Sequence, residues 1–90
     1  MTFQVVWTNH ARRELNHCPL NMVGRIIDAC SVLEQNPLRG PGIKPFGKGV
    51  FSLRVAEWRL VYTVESTQVI VRTVGRRDYV YKRLRDLRDL

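Results

Sequence analysis

The 90-residue sequence has few of the side chains that build disulfides and metal sites. Cysteine occurs twice, as Cys18 and Cys30, without a Cys-x-x-Cys spacing, and histidine also occurs twice, as His10 and His17. Two cysteines in a chain without an export signal are typical of plain buried thiols. We therefore predict no disulfide, no metal site and no cofactor.

Long apolar runs are also missing. No run approaches the roughly 18 residues of a membrane-spanning helix. The N-terminal stretch MTFQVVWT lacks the basic and then apolar pattern of an export signal. We expect a soluble cytoplasmic protein without a membrane partner, folded as a single domain over residues 1–90 with a modest core.

Acidic residues are scarce, with eight Asp and Glu against fifteen Lys and Arg, and the net charge is +7. Residues 1–38 hold three basic and three acidic side chains, which cancel, while residues 39–90 hold twelve basic and five acidic ones. The whole surplus therefore lies in the second part of the chain. Such asymmetry favours a polyanionic partner, either nucleic acid or an acidic protein, over a generally soluble basic surface.

That basic part contains three segments with the two-residue period of half-buried strands. They span residues 50–55, 58–64 and 68–74. Links of two and three residues force antiparallel hairpins between them, which makes a three-stranded meander. If Trp58, Leu60 and Tyr62 face the core, Arg59 points to the opposite face. Arg54 should lie on that face too, so several cations share it.

The other predicted elements complete an α+β domain, with a strand at residues 2–8 and helices near 11–15, 20–35 and 78–90. Thr8 or Asn9 caps the first helix, and Pro19 ends it. The second helix has apolar residues three and four positions apart, a stripe that suits packing on a sheet.

Residues 38–49, LRGPGIKPFGKG, hold four of the six glycines and two of the four prolines, which predicts a loop. Arg39, Lys44 and Lys48 make this loop basic. Either its glycines let the backbone approach a ligand closely, or it only carries the chain from a helix to the sheet edge.

Three short motifs follow one another along this order: Leu53-Arg54, WRLVY at 58–62 and VGRRDYVY at 74–81. At these separations they resemble the RelE/ParE superfamily of toxins from bacterial and archaeal type II toxin-antitoxin systems. The resemblance covers about residues 3–81. It implies a β-α-α-β-β-β fold with a curved antiparallel sheet, two helices packed on one face and a short C-terminal helix.

RelE-type members of the superfamily enter the ribosomal A site and cut mRNA there without a metal, so the resemblance implies an endoribonuclease that inhibits translation. By position it makes Arg59, Arg77 and Tyr81 the candidate catalytic residues. Fixed arginines can stabilise charge that grows on the attacked phosphate, and a tyrosine can stack on a base, hold the 2′-hydroxyl or move a proton. The further cations expected to bind RNA are Lys44, Lys48, Arg54, Arg76 and Lys82. The implied partners are the ribosome, mRNA and an acidic, RelB-like antitoxin.

The sequence departs from the superfamily at the general base. The best-known RelE toxins carry two lysines at the positions of Val50 and Ser52, neither of which is basic. Lys44 or Lys48 is a possible substitute, whereas Glu57, at a hairpin turn, reads as a surface carboxylate. The general base is therefore unassigned by the sequence.

Other functions stay open at this point. A ParE-like toxin of the same fold inhibits DNA gyrase and cleaves nothing, and a catalytically weak relative or a basic RNA-binding module is a further alternative. The Arg77 and Tyr81 ending favours the ribonuclease, while the loss of both lysines favours the alternatives. Arg59 could also pair with Glu65 or Glu57 and merely solubilise the sheet, and Tyr81 could pack under the tail.

Overall fold

The computed structural model of the chain describes residues 2–88, with side chains as far as Arg85. Its elements in chain order are β1 (Gln4–Trp7), α1 (Asn9–Asn16), α2 (Leu20–Gln35), β2 (Ile43–Pro45), β3 (Val50–Val55), β4 (Trp58–Glu65), β5 (Gln68–Arg76) and α3 (Arg77–Arg88). The strands form one five-stranded sheet in the order β1-β5-β4-β3-β2. The predicted α+β class is confirmed.

The predicted meander is also confirmed, because β3 pairs antiparallel with β4 and β4 pairs antiparallel with β5. The first strand differs from the expected antiparallel sheet. It lies parallel to β5, with Gln4 beside Gln68 and Trp7 beside Val71. The sheet is therefore mixed, since α1 and α2 form a crossover that leaves β1 next to the last strand of the meander.

The stretch predicted as a loop at residues 38–49 contains a short strand. β2 pairs antiparallel with β3, and Lys44 lies directly opposite Ser52. Gly42, which precedes β2, has φ of +82°, and a Cβ there would lie 3.3 Å from the carbonyl oxygen of Arg54. The glycine therefore lets the chain run close along β3 and turns the loop into an edge of the sheet.

One sheet face carries α1 and α2. The Thr8 side chain caps α1 by accepting a hydrogen bond from the Ala11 amide at 3.1 Å. The core between these helices and the sheet includes Ile26, Leu33, Leu60, Tyr62, Val69 and Val71, all fully buried. Tyr62 also donates a hydrogen bond to the carbonyl oxygen of Pro37 at 2.7 Å, which ties the end of α2 to β4.

The opposite face carries α3 over a smaller apolar cluster, formed by Val50, Val61, Val80 and Leu84 with Phe46 and Tyr81 at its margin. This helix begins one residue earlier than predicted and follows β5 without a loop. The last two residues of the predicted helix lie outside the described residues. The arginine-rich end of β5 and the first turn of α3 therefore form one continuous corner.

The two thiols are buried, as predicted. Burial, followed by the nearby charge of Glu34, raises the pKa of Cys30 to about 11. Within residues 2–88, no group of three His, Cys, Asp or Glu side chains is arranged to hold a metal ion. None of the helices in that part of the chain is long and apolar enough to cross a membrane.

Candidate functional site

A cavity of about 350 Å³ opens on the α3 face of the sheet, beside the first turn of that helix. We call it the arginine pocket. Its lining residues are Gly42, Ile43, Lys44, Ser52, Arg54, Arg59, Arg77 and Tyr81. Residues from β2, β3, β4 and α3 thus meet at one place, although they are spread over 40 positions of the chain.

Strand register places the cations of this pocket. Arg54 and Arg59 lie directly opposite each other on β3 and β4. Like charges directly opposite each other destabilise a sheet. The stability of the sheet therefore does not explain why two arginines are paired here. Each guanidinium donates to a backbone carbonyl, Arg54 to Ala56 at 3.1 Å and Arg59 to Trp58 at 3.3 Å. Among the described side chains, no carboxylate forms an ion pair with either arginine.

The first turn of α3 supplies the other two groups. Arg77 and Tyr81 are four residues apart on a helix, so their side chains lie on the same face. The guanidinium of Arg77 lies 5.5 Å from the centre of the Tyr81 ring. The Tyr81 ring also meets Phe46 edge to face, with ring centres 5.9 Å apart.

The chemistry of Tyr81 is changed by these neighbours. Burial by itself raises its pKa, but a hydrogen bond from Arg59 and the charges of Arg59, Lys44 and Arg77 act in the other direction. The net result is a pKa below the ordinary value of a tyrosine. A phenol is a poor base at neutral pH, and cations improve it by stabilising the phenolate. The pocket therefore combines a cluster of positive charge with a tyrosine whose pKa is lowered.

The three candidate catalytic residues, Arg59, Arg77 and Tyr81, are brought together in this pocket, and Lys44 and Arg54 join them. The alternatives in which Arg59 pairs with Glu57 or Glu65 are wrong. Glu57 instead forms an ion pair with Arg76, and Glu65 forms one with Arg72. Tyr81 packs against the smaller apolar cluster beneath α3, and it also lines the arginine pocket. The tyrosine therefore has both a packing contact and a place in the pocket.

The other three cations expected to bind RNA lie elsewhere. Arg76 forms an ion pair with Glu57 at 3.2 Å and stacks over the Trp58 ring at 5.6 Å. Lys48 is exposed at the turn between β2 and β3, where its φ is +54°. Lys82 is exposed on α3. None of these three lines the arginine pocket.

Two contacts of Tyr81 and Lys44 escaped the sequence analysis, although Ser52 itself was named there as the position of a RelE lysine. Phe46 lies in the Gly/Pro-rich stretch, and it supports Tyr81 while Lys44 sits 5.5 Å above the centre of its ring. Ser52, only 2% exposed, pairs across the strands with Lys44. The glycines and prolines of this stretch predict a loop, and they concealed both contacts.

Comparisons with known proteins agree with this fold. Residues 5–81 match the family model described as the ParE toxin of type II toxin-antitoxin system, parDE. Among solved structures, the toxin-antitoxin complex RelBE2 from Mycobacterium tuberculosis contains a similar chain, with 30% sequence identity and a TM-score of 0.75. That match covers 86% of this chain and 100% of the other.

Two further structures are similar. The YoeB/ParE toxin from Agrobacterium tumefaciens has 25% identity and a TM-score of 0.71, and the match covers 83% of this chain and 99% of that one. The RelE-RelB complex from Pyrococcus horikoshii OT3 matches in fold, with 20% identity, a TM-score of 0.73 and coverage of 86% and 97%. A search of curated proteins found no match. The family model spans most of the chain, and the chain therefore belongs to the ParE toxin family, within the RelE/ParE superfamily of type II toxin-antitoxin toxins.

Proposed function

We propose that this toxin is a ribosome-dependent endoribonuclease that cuts mRNA in the arginine pocket without a metal. The best support for the proposal is the group of cations around Tyr81. Arg59, Lys44 and Arg77 together lower the pKa of its phenol. These groups fit an RNA phosphate and the proton of its neighbouring 2′-hydroxyl. A ribosomal target places the protein in the cytoplasm.

The proposed reaction needs one proton acceptor, one proton donor and charge stabilisation. The Tyr81 phenolate takes the proton of the 2′-hydroxyl, and the 2′-oxygen forms a bond to phosphorus. Negative charge then grows on the phosphate oxygens, where Arg59 and Arg77 stabilise it. The bond from phosphorus to the 5′-oxygen breaks, and we assign Lys44 the proton that this oxygen receives. The products are a 2′,3′-cyclic phosphate and a free 5′-hydroxyl.

We assign the general base, which the sequence left open, to Tyr81, and the general acid to Lys44. It lies opposite Ser52, a position where the best-known RelE toxins carry lysine, so an ammonium group reaches the pocket from the neighbouring strand. Lys48 is at the turn and does not line the pocket. Tyr81 is thus the proposed base and Lys44 the proposed acid, while Arg54 extends the phosphate-binding surface.

The proposed protein partner is an acidic, RelB-like antitoxin. The similar chains in the RelBE2 and RelE-RelB structures are found in toxin-antitoxin complexes. The net charge of +7 is concentrated on the sheet and α3, and an acidic partner would associate quickly there in a salt-dependent way. We expect Arg59 and Arg77 to lose solvent exposure in that complex.

Inhibition of DNA gyrase without catalysis is the second candidate. The match of residues 5–81 to the ParE toxin model favours it. The cluster of groups around Tyr81 favours cleavage, because a toxin that only binds has no need for a phenol with a lowered pKa.

Primer extension on a translated message, run beside a gyrase supercoiling assay, tests the proposal. We expect cuts in register with codons when ribosomes translate the message, no cuts in the naked message, and normal supercoiling. Inhibited supercoiling with an intact message would reject the ribonuclease and support the second candidate. Arg76→Ala serves as a matched arginine control outside the pocket, and its cleavage should stay close to that of the parent.

A further inference from the structure

Glu14 of α1 reaches the end of β5 on the helix face of the sheet. Its carboxylate accepts hydrogen bonds from the Thr73 hydroxyl at 2.8 and 3.0 Å and from the Val74 amide at 3.1 Å. The carboxylate side chain is 12% exposed, and His10 Nε2 lies 3.3 Å from it. A largely buried carboxylate with several donors holds its partners firmly, because each donor would be costly to leave unpaired.

The same carboxylate also reaches α3. Tyr79 of α3 lies beside this carboxylate, since both side chains line one cavity, and hydrogen bonding to Glu14 is the largest cause of the raised pKa of Tyr79. The Tyr79 ring packs against Gly75, where an added Cβ would lie 2.6 Å from a ring carbon. Glu14, Gly75 and Tyr79 also line one apolar cavity at this corner, together with Trp58 and Val74.

Helix geometry connects this contact to the arginine pocket. Successive helical residues are about 100° apart around the axis, so Tyr79 points away from Arg77 and Tyr81, which share a face. Any turn of α3 about its axis that released Tyr79 would also move Arg77 and Tyr81. Because α3 follows β5 without a loop, no flexible connection absorbs such a movement.

We infer that Glu14 is a positioning residue, which holds Tyr79 and thereby fixes the rotation of α3 that brings Arg77 and Tyr81 into the arginine pocket. The effect on cleavage rests on the proposed function. The effect on the position of Tyr81 does not, so it can be measured in the absence of any activity.

The first test is ultraviolet titration of the tyrosines in Tyr79→Phe, which keeps the ring on Gly75 and removes only the hydroxyl. Tyr81 should be the first phenol to ionise in the parent, because the pKa values of Tyr62 and Tyr79 are raised, and Tyr81→Phe assigns that step. In Tyr79→Phe we expect this first pKa to rise towards the ordinary value of about 10, as Tyr81 loses its cations. Tyr62→Phe is the matched control, since it loses a buried hydrogen bond in the core on the other face of the sheet and should leave the Tyr81 step unchanged.

In Glu14→Ala, the direction in which the pKa of Tyr81 changes distinguishes a positioning role from a direct effect of the carboxylate charge. Removal of a carboxylate by charge alone lowers the pKa of a nearby phenol, whereas loss of the fixed α3 raises the pKa of Tyr81. Glu14→Gln keeps an acceptor of the same size and should stay nearer to the parent. If Glu14→Ala does not fold by circular dichroism, Tyr79→Phe decides. An unchanged or lowered Tyr81 pKa in folded Tyr79→Phe would overturn the inference.

Cleavage on programmed ribosomes provides the second readout. We expect Tyr79→Phe to lower kcat by on the order of tenfold or more with little change in KM, since misplacement affects the reacting groups more than ribosome binding. If the parent cleaves nothing, the proposed function fails and the titration still decides the role of Glu14. If the parent cleaves and Tyr79→Phe matches it in both rate and titration, the inference about Glu14 fails alone.

Discussion

Replacement of Lys44 by alanine tests which of two lysines, Lys44 or Lys48, contributes to cleavage, a choice that the sequence left open. Lys44 and Lys48 are both exposed and lie four positions apart on the connection from α2 to β3. Only Lys44 lines the arginine pocket and helps to lower the pKa of Tyr81. Lys48→Ala is therefore a matched control that removes the same charge from the same stretch of chain.

The expected magnitudes differ for a physical reason. Lys44→Ala removes the proposed proton donor and one of three cations that lower the pKa of Tyr81, and removal of one such preorganised donor typically costs about 10²- to 10³-fold in rate. Lys48→Ala removes only a distant phosphate contact. It should leave the rate constant of bound toxin unchanged and lower the salt dependence of ribosome binding by about one counterion.

Single-turnover cleavage on programmed ribosomes at saturating toxin measures this difference without a contribution from binding. A second variant moves the lysine from β2 to β3. Ser52 lies directly opposite Lys44, so the double variant Lys44→Ser, Ser52→Lys returns an ammonium group to the pocket from β3. We expect the double variant to recover a substantial part of the rate that Lys44→Ala loses.

Equal rates for Lys44→Ala and the parent would refute the role of Lys44. Equal losses in Lys44→Ala and Lys48→Ala would refute the argument from pocket geometry, because the effect would then depend on net charge alone. Circular dichroism of each variant checks that the fold is intact, above all for the substitution at the buried Ser52.

Three further predictions follow from other residues. Arg77→Ala should lower kcat by about 10²-fold or more with a much smaller loss of ribosome affinity, since its charge acts mainly on the transition state; parallel losses of both in cleavage and binding assays would contradict this. The cleavage rate should rise with pH and level off above the pKa of Tyr81, which lies below the ordinary value of about 10. Tyr81→Phe should be roughly 100-fold slower, and its rate should no longer rise with pH. Tyr62→Phe should lower the free energy of unfolding by about 1 kcal/mol in urea melts at neutral pH, because it loses the bond to Pro37. Since burial raises the pKa of Tyr62 above that of the unfolded chain, this stabilisation is present below about pH 10 and is lost above it, a loss that Tyr62→Phe should not show.

Much of the sheet could be predicted because its residues alternate with a period of two. The pattern of Trp58, Arg59 and Leu60 correctly placed the arginine on the face opposite the core. The partner of β1 could not be predicted, since alternation marks a strand without naming its neighbour. The short β2 was missed because Pro45 and the glycines around it predict a loop.

The candidate site was predictable to the extent that its residues lie in motifs. Arg59, Arg77 and Tyr81 were named from the sequence, and strand register together with the start of α3 brings them into one pocket. The sequence motif assigned Arg77 to catalysis and Arg76 to RNA binding, but it did not show that Arg76 lies outside the pocket. Their roles diverge because β5 ends and α3 begins between them, which sends one side chain to Glu57 and the other to Tyr81.

The most direct measurement of the central claim is the chemistry of the cut itself. A message carrying a single 2′-deoxynucleotide immediately upstream of the cleaved bond is translated beside an all-RNA message, and the ends of the fragments are analysed. If the arginine pocket promotes attack by the 2′-hydroxyl, the all-RNA message yields a 2′,3′-cyclic phosphate and a 5′-hydroxyl, and the substituted message stays intact at that bond. Cleavage of the substituted bond, or a 5′-phosphate on the downstream fragment, would contradict the proposed mechanism.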